Sequence, residues 1–143
     1  MHLKVRIVSR TAFSLVELIV VMVIIGLLSS LVAVQTRSYL VASKQNAARA
    51  EIATIVSALE SFYADQSRYP SSDEGMEVLT SGTNRFPDGF LKKLPNDPWG
   101  NPYEYISPAP SGPFEIVSLG ADGREGGQGG DADISSEALD DAR

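Results

Sequence analysis

The sequence predicts an α+β fold, in which a long hydrophobic N-terminal α-helix packs on a small antiparallel β-sheet. An almost unbroken apolar run, 13–34, leads into a segment with helical periodicity, and neither Pro nor Gly interrupts 27–67. Two strand-like segments, 103–107 and 114–120, follow near the end of the chain. With 143 residues, the chain has room for one domain.

The helix is expected to run from about Phe13 to about Asp65. Its apolar first half has the length of the roughly 20 residues that cross a bilayer as a helix. In the second half, apolar residues recur on one stripe, which predicts the core face. These residues are Ile52, Ile55, Val56, Leu59, Phe62 and Tyr63. Pro70 places the end of the helix before it, because the residue preceding a proline is disfavoured in helical geometry.

The segment between the helix and the strands contains a short helix signal and a dense turn. Ser71 and Glu74 have the spacing of a capping box, which predicts a short helix through 77–79 that ends near Gly82. The turn at 95–102 is rich in Pro, Gly and Asn.

The strands and the residues around them are expected to complete the core. Trp99 and Tyr103 are predicted to cover one edge of it, and a sugar-binding role for these aromatics is the alternative. The linker SPAPSGP makes the two strands a candidate hairpin. The last residues, 135–143, are expected to form a flexible tail.

Composition excludes several classes of function. The formal net charge of -6 argues against a nucleic-acid partner, because phosphate binding needs basic clusters. The chain has no cysteine, and its single histidine, His2, precedes the apolar run. A Ser-His or zinc centre beyond that run is therefore excluded, and the sequence predicts no enzyme.

Charges at the start of the chain indicate a membrane orientation. Lys4, Arg6 and Arg10 precede the apolar run, and basic flanks are retained in the cytoplasm. Glu17 is the one charge within the run, where burial in lipid costs about 3 kcal/mol or more. Either Glu17 has a cationic partner, or its carboxylate reaches the membrane surface without one.

Residues 121–133, here called the acidic loop, are rich in glycine and aspartate. The carboxylates of Asp122, Asp131 and Asp133 are hard oxygen ligands of the kind that calcium prefers, and the glycines allow backbone carbonyls to turn inward. A solvated acidic loop without a metal is the alternative from composition alone.

Several motifs resemble one family. The segment RTAFSLVELIVVMVIIG resembles the class III signal of type IV pilins and pseudopilins. Three further segments resemble the major pseudopilins of bacterial type II secretion systems: RYPSSDEGMEVL, LKKLPNDPWGNPYEYISP and SLGADGREGGQGGDADI. The resemblance covers Phe13 to Ile134. The chain departs from the family pattern at Ala12, where Gly is usual, and at Val34, where many relatives have Pro.

The resemblance implies a pilin-like fold and a division of the chain. Residues 1–12 would be a cytoplasmic leader, 13–34 a transmembrane and filament-core helix, and 35–134 a periplasmic head. A prepilin peptidase would cut between Ala12 and Phe13 and methylate the new Phe13 amine.

The resemblance also implies roles for individual residues. Glu17 would pair with the cationic Phe13 amine of a neighbouring copy during assembly. Four oxygen ligands would hold calcium: the Leu119 carbonyl and the side chains of Asp122, Asp131 and Asp133.

By the same resemblance, the protein would be the major structural subunit of a periplasmic pseudopilus. Its polymerisation would drive export of folded proteins across the outer membrane. Expected partners are further copies of the chain, minor pseudopilins, the inner-membrane assembly platform and the prepilin peptidase. Before assembly, a single span would hold the subunit in the inner membrane, with its N-terminus cytoplasmic and its head periplasmic. The alternatives are a pilin of a surface pilus and a membrane-anchored periplasmic enzyme or binding protein.

Overall fold

The computed structural model describes residues 13–140, with side chains for all of these except 31–36 and 140. The predicted leader, 1–12, and the last residues, 141–143, lie outside the described residues. The chain divides into two compact units, Met1–Ser38 and Tyr39–Arg143.

One helix, α1, spans Leu15–Gln66 and confirms the predicted helix. It begins after Ser14, whose hydroxyl accepts the Val16 N–H at 3.2 Å and so caps the first turn. It ends at Ser67, which adopts a positive φ of 57° and donates its N–H to the Tyr63 carbonyl. The helix therefore stops before the proline, as the sequence predicts.

The predicted apolar stripe is the core face of the second half of α1. Ile52, Ile55 and Leu59 are completely buried, and Phe62 is nearly so. Tyr63 is the exception, with 46% of its surface exposed, because it lies at the edge of the stripe and stacks on Tyr69 at a centroid distance of 4.7 Å. The other side of the core is formed by Met76, Leu79, Tyr103, Ile116 and Ile134.

Three short strands form an antiparallel sheet in the order β1-β2-β3. They span Glu104–Ile106, Glu115–Ser118 and Ile134–Ser135. Pairing of Tyr105 with Ile116 fixes the β1–β2 register, so the predicted hairpin is confirmed, with strands shorter than expected. Together, α1 and this sheet confirm the predicted α+β architecture.

Residues 135–140, for which the sequence predicts a flexible tail, include a strand residue and a short helix in this structure. Ser135 pairs with Val117 in the sheet, and the Ser136 hydroxyl accepts the Ile116 N–H at 3.0 Å. A short helix, α2, follows at Glu137–Asp140, where Leu139 packs against the core. Two apolar side chains hold this segment against the core: Ile134, which directly precedes it, and Leu139 within it.

The capping box is present, but it does not begin a helix. Ser71 and Glu74 exchange hydrogen bonds, with Ser71 N–H to Glu74 Oε2 at 2.8 Å and Glu74 N–H to Ser71 Oγ at 3.3 Å. These bonds close a turn. The predicted short helix is a 3₁₀ helix at Glu77–Thr80, which ends before Gly82 and buries Leu79.

The predicted membrane span over 13–34 is not confirmed. Over the residues whose side chains the structure describes, 13–30 and 37–139, no helix is both long and apolar enough to cross a membrane.

Candidate functional site

The first part of α1, up to Ser30, exposes its apolar side chains. Between Phe13 and Leu28, every large apolar side chain is at least 48% exposed. Monomeric soluble proteins rarely expose an apolar surface of this extent, and larger patches mark contacts with proteins or membranes. This part of the helix is therefore a candidate interaction surface.

Glu17 lies in the first turn of α1 and is exposed. Its N–H donates to the Ser14 carbonyl at 3.1 Å, and its carboxylate lies near the positive end of the helix dipole, which favours an acid. In this chain the backbone nitrogen of Phe13 is bonded to Ala12, so Phe13 would carry a cationic amine only if the chain were cut between these two residues. The pairing of Glu17 with an amine of another copy stays a prediction.

The backbone brings the two ends of the acidic loop together. The Ala121 N–H donates to the Gly130 carbonyl at 3.0 Å. Gly120 has a φ of +67°, and a Cβ at this position would lie 2.8 Å from the carbonyl carbon of Asp131. Only glycine combines this φ with so close an approach.

Contacts with α1 hold the far end of the acidic loop in place. The Gln45 side-chain amide donates to the Gly129 carbonyl at 2.7 Å. Val41 packs next to Gly130, with a methyl carbon 3.4 Å from the position a Cβ would take there. The loop is therefore attached to the helix as well as to β2 and β3.

The predicted calcium ligands lie within or beside this loop. Asp122, Asp131 and Asp133 are exposed, and Leu119 is half-buried at the end of β2. The Asp122 carboxylate accepts the Arg124 N–H at 3.1 Å, and the Asp133 carboxylate accepts the Gly126 N–H at 2.8 Å.

The donor set suits calcium, since it consists of carboxylate and carbonyl oxygens on closely approaching backbone segments. Within the described range, however, no three acidic, histidine or cysteine side chains are grouped closely enough to hold a metal ion. The calcium site is therefore not confirmed.

Sequence reasoning missed a buried carboxylate next to this loop. Asp97 is 4% exposed, and its Oδ1 accepts the N–H groups of Trp99 at 3.0 Å and of Asn101 at 2.8 Å. Its Oδ2 accepts the Ser118 hydroxyl at 2.7 Å. The signal in the sequence was an Asp before a Pro-Trp-Gly turn, because aspartate side chains bind backbone N–H groups a few residues further on.

Two further bonds connect Asp97 to the start of the acidic loop. The Ser118 hydroxyl oxygen accepts the Gly120 N–H at 3.4 Å, and the Asn101 side-chain amide donates to the Gly120 carbonyl at 3.0 Å. We call Asp97, Asn101, Ser118 and Gly120 the Asp97 network.

The aromatic residues of the dense turn belong to the core edge. Tyr103 is buried, and its hydroxyl donates to Glu51 of α1 at 2.6 Å. Burial, together with the hydrogen bond to Glu51, raises the pKa of Tyr103. Trp99 is half-buried, with the Lys44 ammonium 5.8 Å from its ring centroid. These contacts favour the predicted core role over sugar binding.

A family model described as "Type II secretion system (T2SS), protein G" matches residues 35–137. The chain belongs to this family. A second model, described as the prokaryotic N-terminal methylation motif, matches residues 9–33. That second match includes Ala12, Phe13 and Glu17.

Curated relatives support membership in the protein G family over almost the full length. The type II secretion system core protein G of Pseudomonas aeruginosa is 44% identical over 135 residues, which cover 90% of this chain and 95% of that protein. The core protein G of Vibrio cholerae is 41% identical and covers 93% of this chain and 95% of its own length.

A solved member of the same secretion system shares the fold. The crystal structure of the major pseudopilin from the type 2 secretion system of enterohaemorrhagic Escherichia coli superposes with a TM-score of 0.57 at 27% identity. The match covers 68% of this chain and 89% of that one. The pilin-like fold expected from the sequence is thereby confirmed for this protein G family member.

Proposed function

We propose that the chain is the major structural subunit of a periplasmic pseudopilus, which polymerises to drive export of folded proteins across the outer membrane. The observation that carries this proposal is the contrast along α1. Residues 13–28 expose their apolar side chains, whereas the stripe 52–62 buries its own against a sheet of the same chain. A filament subunit needs an apolar surface that other copies cover, and it needs a core that folds within a single copy.

The proposed assembly step begins with removal of the leader. A prepilin peptidase cuts between Ala12 and Phe13 and methylates the Phe13 amine, which keeps its positive charge. Glu17 of a neighbouring copy then pairs with that amine and fixes the axial register of the two helices. The match to the methylation motif over 9–33 supports this processing.

The proposed location follows from the same surface. Lipid of the inner membrane covers the apolar half of α1 before assembly, with the N-terminus cytoplasmic and the head periplasmic. Other copies cover it in the filament. The partners are minor pseudopilins, the inner-membrane assembly platform and the prepilin peptidase. The subunit acts by assembling and carries out no catalysis. Relatives named core protein G favour this function over a surface pilin or a tethered binding protein.

Mass spectrometry of the subunit purified from membranes tests the processing. We expect a chain that begins at Phe13 with one methyl group on its amine. The Ala12→Gly variant, which restores the usual family residue, should give the same product. A chain that keeps residues 1–12 in both proteins would contradict the proposal.

We also propose that the acidic loop binds calcium through the Leu119 carbonyl and the carboxylates of Asp122, Asp131 and Asp133. An ion that binds only the folded state stabilises it, by about 2.7 kcal/mol at 100 times the dissociation constant. In a protein without disulfides, such a cross-link would take their place.

Thermal unfolding of the full chain in detergent, with CaCl₂ or with a chelator, tests this site. We expect CaCl₂ to raise the melting temperature and Asp131→Asn to abolish that increase. Glu125→Gln, which changes an exposed acid of the same loop outside the ligand set, should keep it. Identical melting curves of the wild type with CaCl₂ and with chelator would exclude the site.

A further inference from the structure

We infer that Asp97 is a positioning residue: through Ser118 it fixes the Leu119–Gly120 peptide, and with it the direction of the Leu119 carbonyl. The positional part of this inference rests on hydrogen bonds within the chain. Its consequence for calcium rests on the function proposed above.

The carboxylate of Asp97 can hold neighbouring groups rigidly because it is buried and fully bonded. Both of its oxygens accept hydrogen bonds, two at Oδ1 and one at Oδ2. A buried carboxylate is tolerated only when its oxygens are satisfied in this way, and the loss of one partner is costly. The positions of Trp99, Asn101 and Ser118 are therefore coupled through one side chain.

The direction of the hydrogen bond at Ser118 follows from chemistry. An ionised carboxylate only accepts, so the Ser118 hydroxyl hydrogen must point to Asp97. The remaining lone pairs of the hydroxyl oxygen can then accept the Gly120 N–H. Because a trans peptide is planar, its C=O points opposite to its N–H. Anchoring the Gly120 N–H thereby sets where the Leu119 carbonyl points.

A second arm of the Asp97 network holds the next peptide group. The backbone N–H of Asn101 donates to Asp97, while the Asn101 side chain donates to the Gly120 carbonyl. The peptide groups on both sides of Gly120 are thus bound to partners of one carboxylate.

The position of Gly120 also determines where the other end of the acidic loop can lie. The missing Cβ lets the backbone of Asp131 and Ala132 approach it, since a Cβ would lie 2.8 to 3.0 Å from their carbonyl atoms. A shift of Gly120 would therefore move Asp131 as well. The Asp97 network contributes no proposed ligand, but it places the Leu119 carbonyl and the backbone of Asp131.

Groups that orient metal ligands without touching the metal typically change its affinity by about 10- to 100-fold when removed. We therefore expect Ser118→Ala to raise the calcium concentration for half-saturation about tenfold or more. The variant keeps the bonds from Asp97 to Trp99 and Asn101, so it interrupts only the arm to Gly120.

Asp97→Asn tests the same chain of hydrogen bonds, from Asp97 through Ser118 to Gly120, by changing the carboxylate instead of the hydroxyl. The carboxamide oxygen can still accept the two backbone N–H groups, but its NH₂ can only donate to the Ser118 hydroxyl oxygen, where it competes with the Gly120 N–H. Ser136→Ala is the matched control. It removes a buried serine hydroxyl that accepts the Ile116 N–H in the same sheet and makes no bond to the Asp97 network.

The experiment combines hydrogen exchange and CaCl₂ titration on the full chain in detergent, with circular dichroism to verify folding. Without calcium, Ser118→Ala and Asp97→Asn should speed exchange of the Gly120 amide several-fold, whereas Ser136→Ala should not. With CaCl₂, only the first two should weaken binding. If either variant fails to fold, the other decides.

The outcomes separate the two proposals. If the wild type does not respond to CaCl₂, the calcium site is wrong, and the exchange rates still decide whether Asp97 positions the peptide. If the wild type binds calcium but folded Ser118→Ala matches it in both exchange and half-saturation, the positioning role is overturned.

Discussion

At the scale of single residues, the requirement for glycine in the acidic loop and at Gly120 beside it depends on close contact with other atoms as well as on backbone conformation. Gly120 and Gly126 both have positive φ, but only Gly120 lies against other backbone atoms. An alanine at positive φ costs about 1–2 kcal/mol. At Gly120 the added Cβ also collides with Asp131, and such overpacking typically costs roughly 1–3 kcal/mol more.

We therefore predict that Gly120→Ala lowers the free energy of unfolding by clearly more than Gly126→Ala. Urea unfolding of the full chain in chelator measures both variants, which keeps any bound ion out of the comparison. Equal losses would show that the close approach of Gly120 to Asp131 does not contribute to stability.

A second residue-scale prediction concerns acid. The Arg68 guanidinium binds Glu74 at 2.6 and 2.8 Å and, with the Ser71 N–H, lowers the pKa of Glu74 from 4.5 to about 2. A carboxyl whose pKa is lower in the folded state stabilises the fold above its unfolded pKa. That contribution is lost as the pH falls from about 4.5 towards about 2.

Glu74→Gln should therefore lower the melting temperature at pH 7, and the difference from wild type should shrink below pH 4.5 and vanish near pH 2. Asp73→Asn, at an exposed acid of the same turn, is the control for general charge effects. A difference that stays constant from pH 7 to pH 2 would contradict the role of the ion pair with Arg68.

At the scale of elements, α1 has an exposed apolar surface in its first half and a buried one in its second half. A leucine-to-alanine substitution should affect stability differently in the two halves. Leu59 is 0% exposed in the core, whereas Leu28 is 62% exposed in the apolar first half. Removing a buried leucine side chain costs roughly 2–5 kcal/mol through lost burial and the cavity left behind.

Leu59→Ala should therefore lower the free energy of unfolding of the second unit by roughly 3 kcal/mol, and Leu28→Ala should change it by less than about 0.5 kcal/mol. Urea unfolding monitored by Trp99 fluorescence measures both. A large loss in Leu28→Ala would mean that the first half of α1 contributes to the stability of the second unit.

How far the elements could be predicted depends on how local their signals are. The spacing of apolar residues over 52–62 is a local signal, and so are the two strand-like segments on either side of the hairpin linker. The elements that they predict, α1 and the β1–β2 pair, are both confirmed. The strand β3 has only two residues and exists because Val117 and Ser118 pair with it across the acidic loop. No local pattern carries that information.

The candidate site was only partly predictable for the same reason. Asp122, Asp131 and Asp133 could be selected by composition and resemblance, and the structure places them on one loop. Asp97 lies far away in sequence, and its bond to Ser118 forms only once the turn and β2 are folded. Its burial, which decides its importance, is a property of the tertiary structure.

At the scale of the whole molecule, a single copy leaves an apolar surface uncovered, and Glu17 lies within it. In the proposed filament, this carboxylate would lose water where copies pack together and would need a cationic partner. Removing one partner of a buried ion pair typically costs about 3–5 kcal/mol. A filament repeats that cost at every subunit, so a modest local change should have a large effect on assembly.

Glu17→Gln should therefore reduce filament yield at least tenfold and export accordingly, while the melting temperature of the second unit stays unchanged. Electron microscopy of sheared filaments and assay of an exported protein in the medium measure the two effects. Mass spectrometry must show methylated Phe13 in the variant, so that failed cleavage is not the cause. Since glutamine matches glutamate in size, normal filaments and export would mean that the charge of Glu17 has no part in assembly.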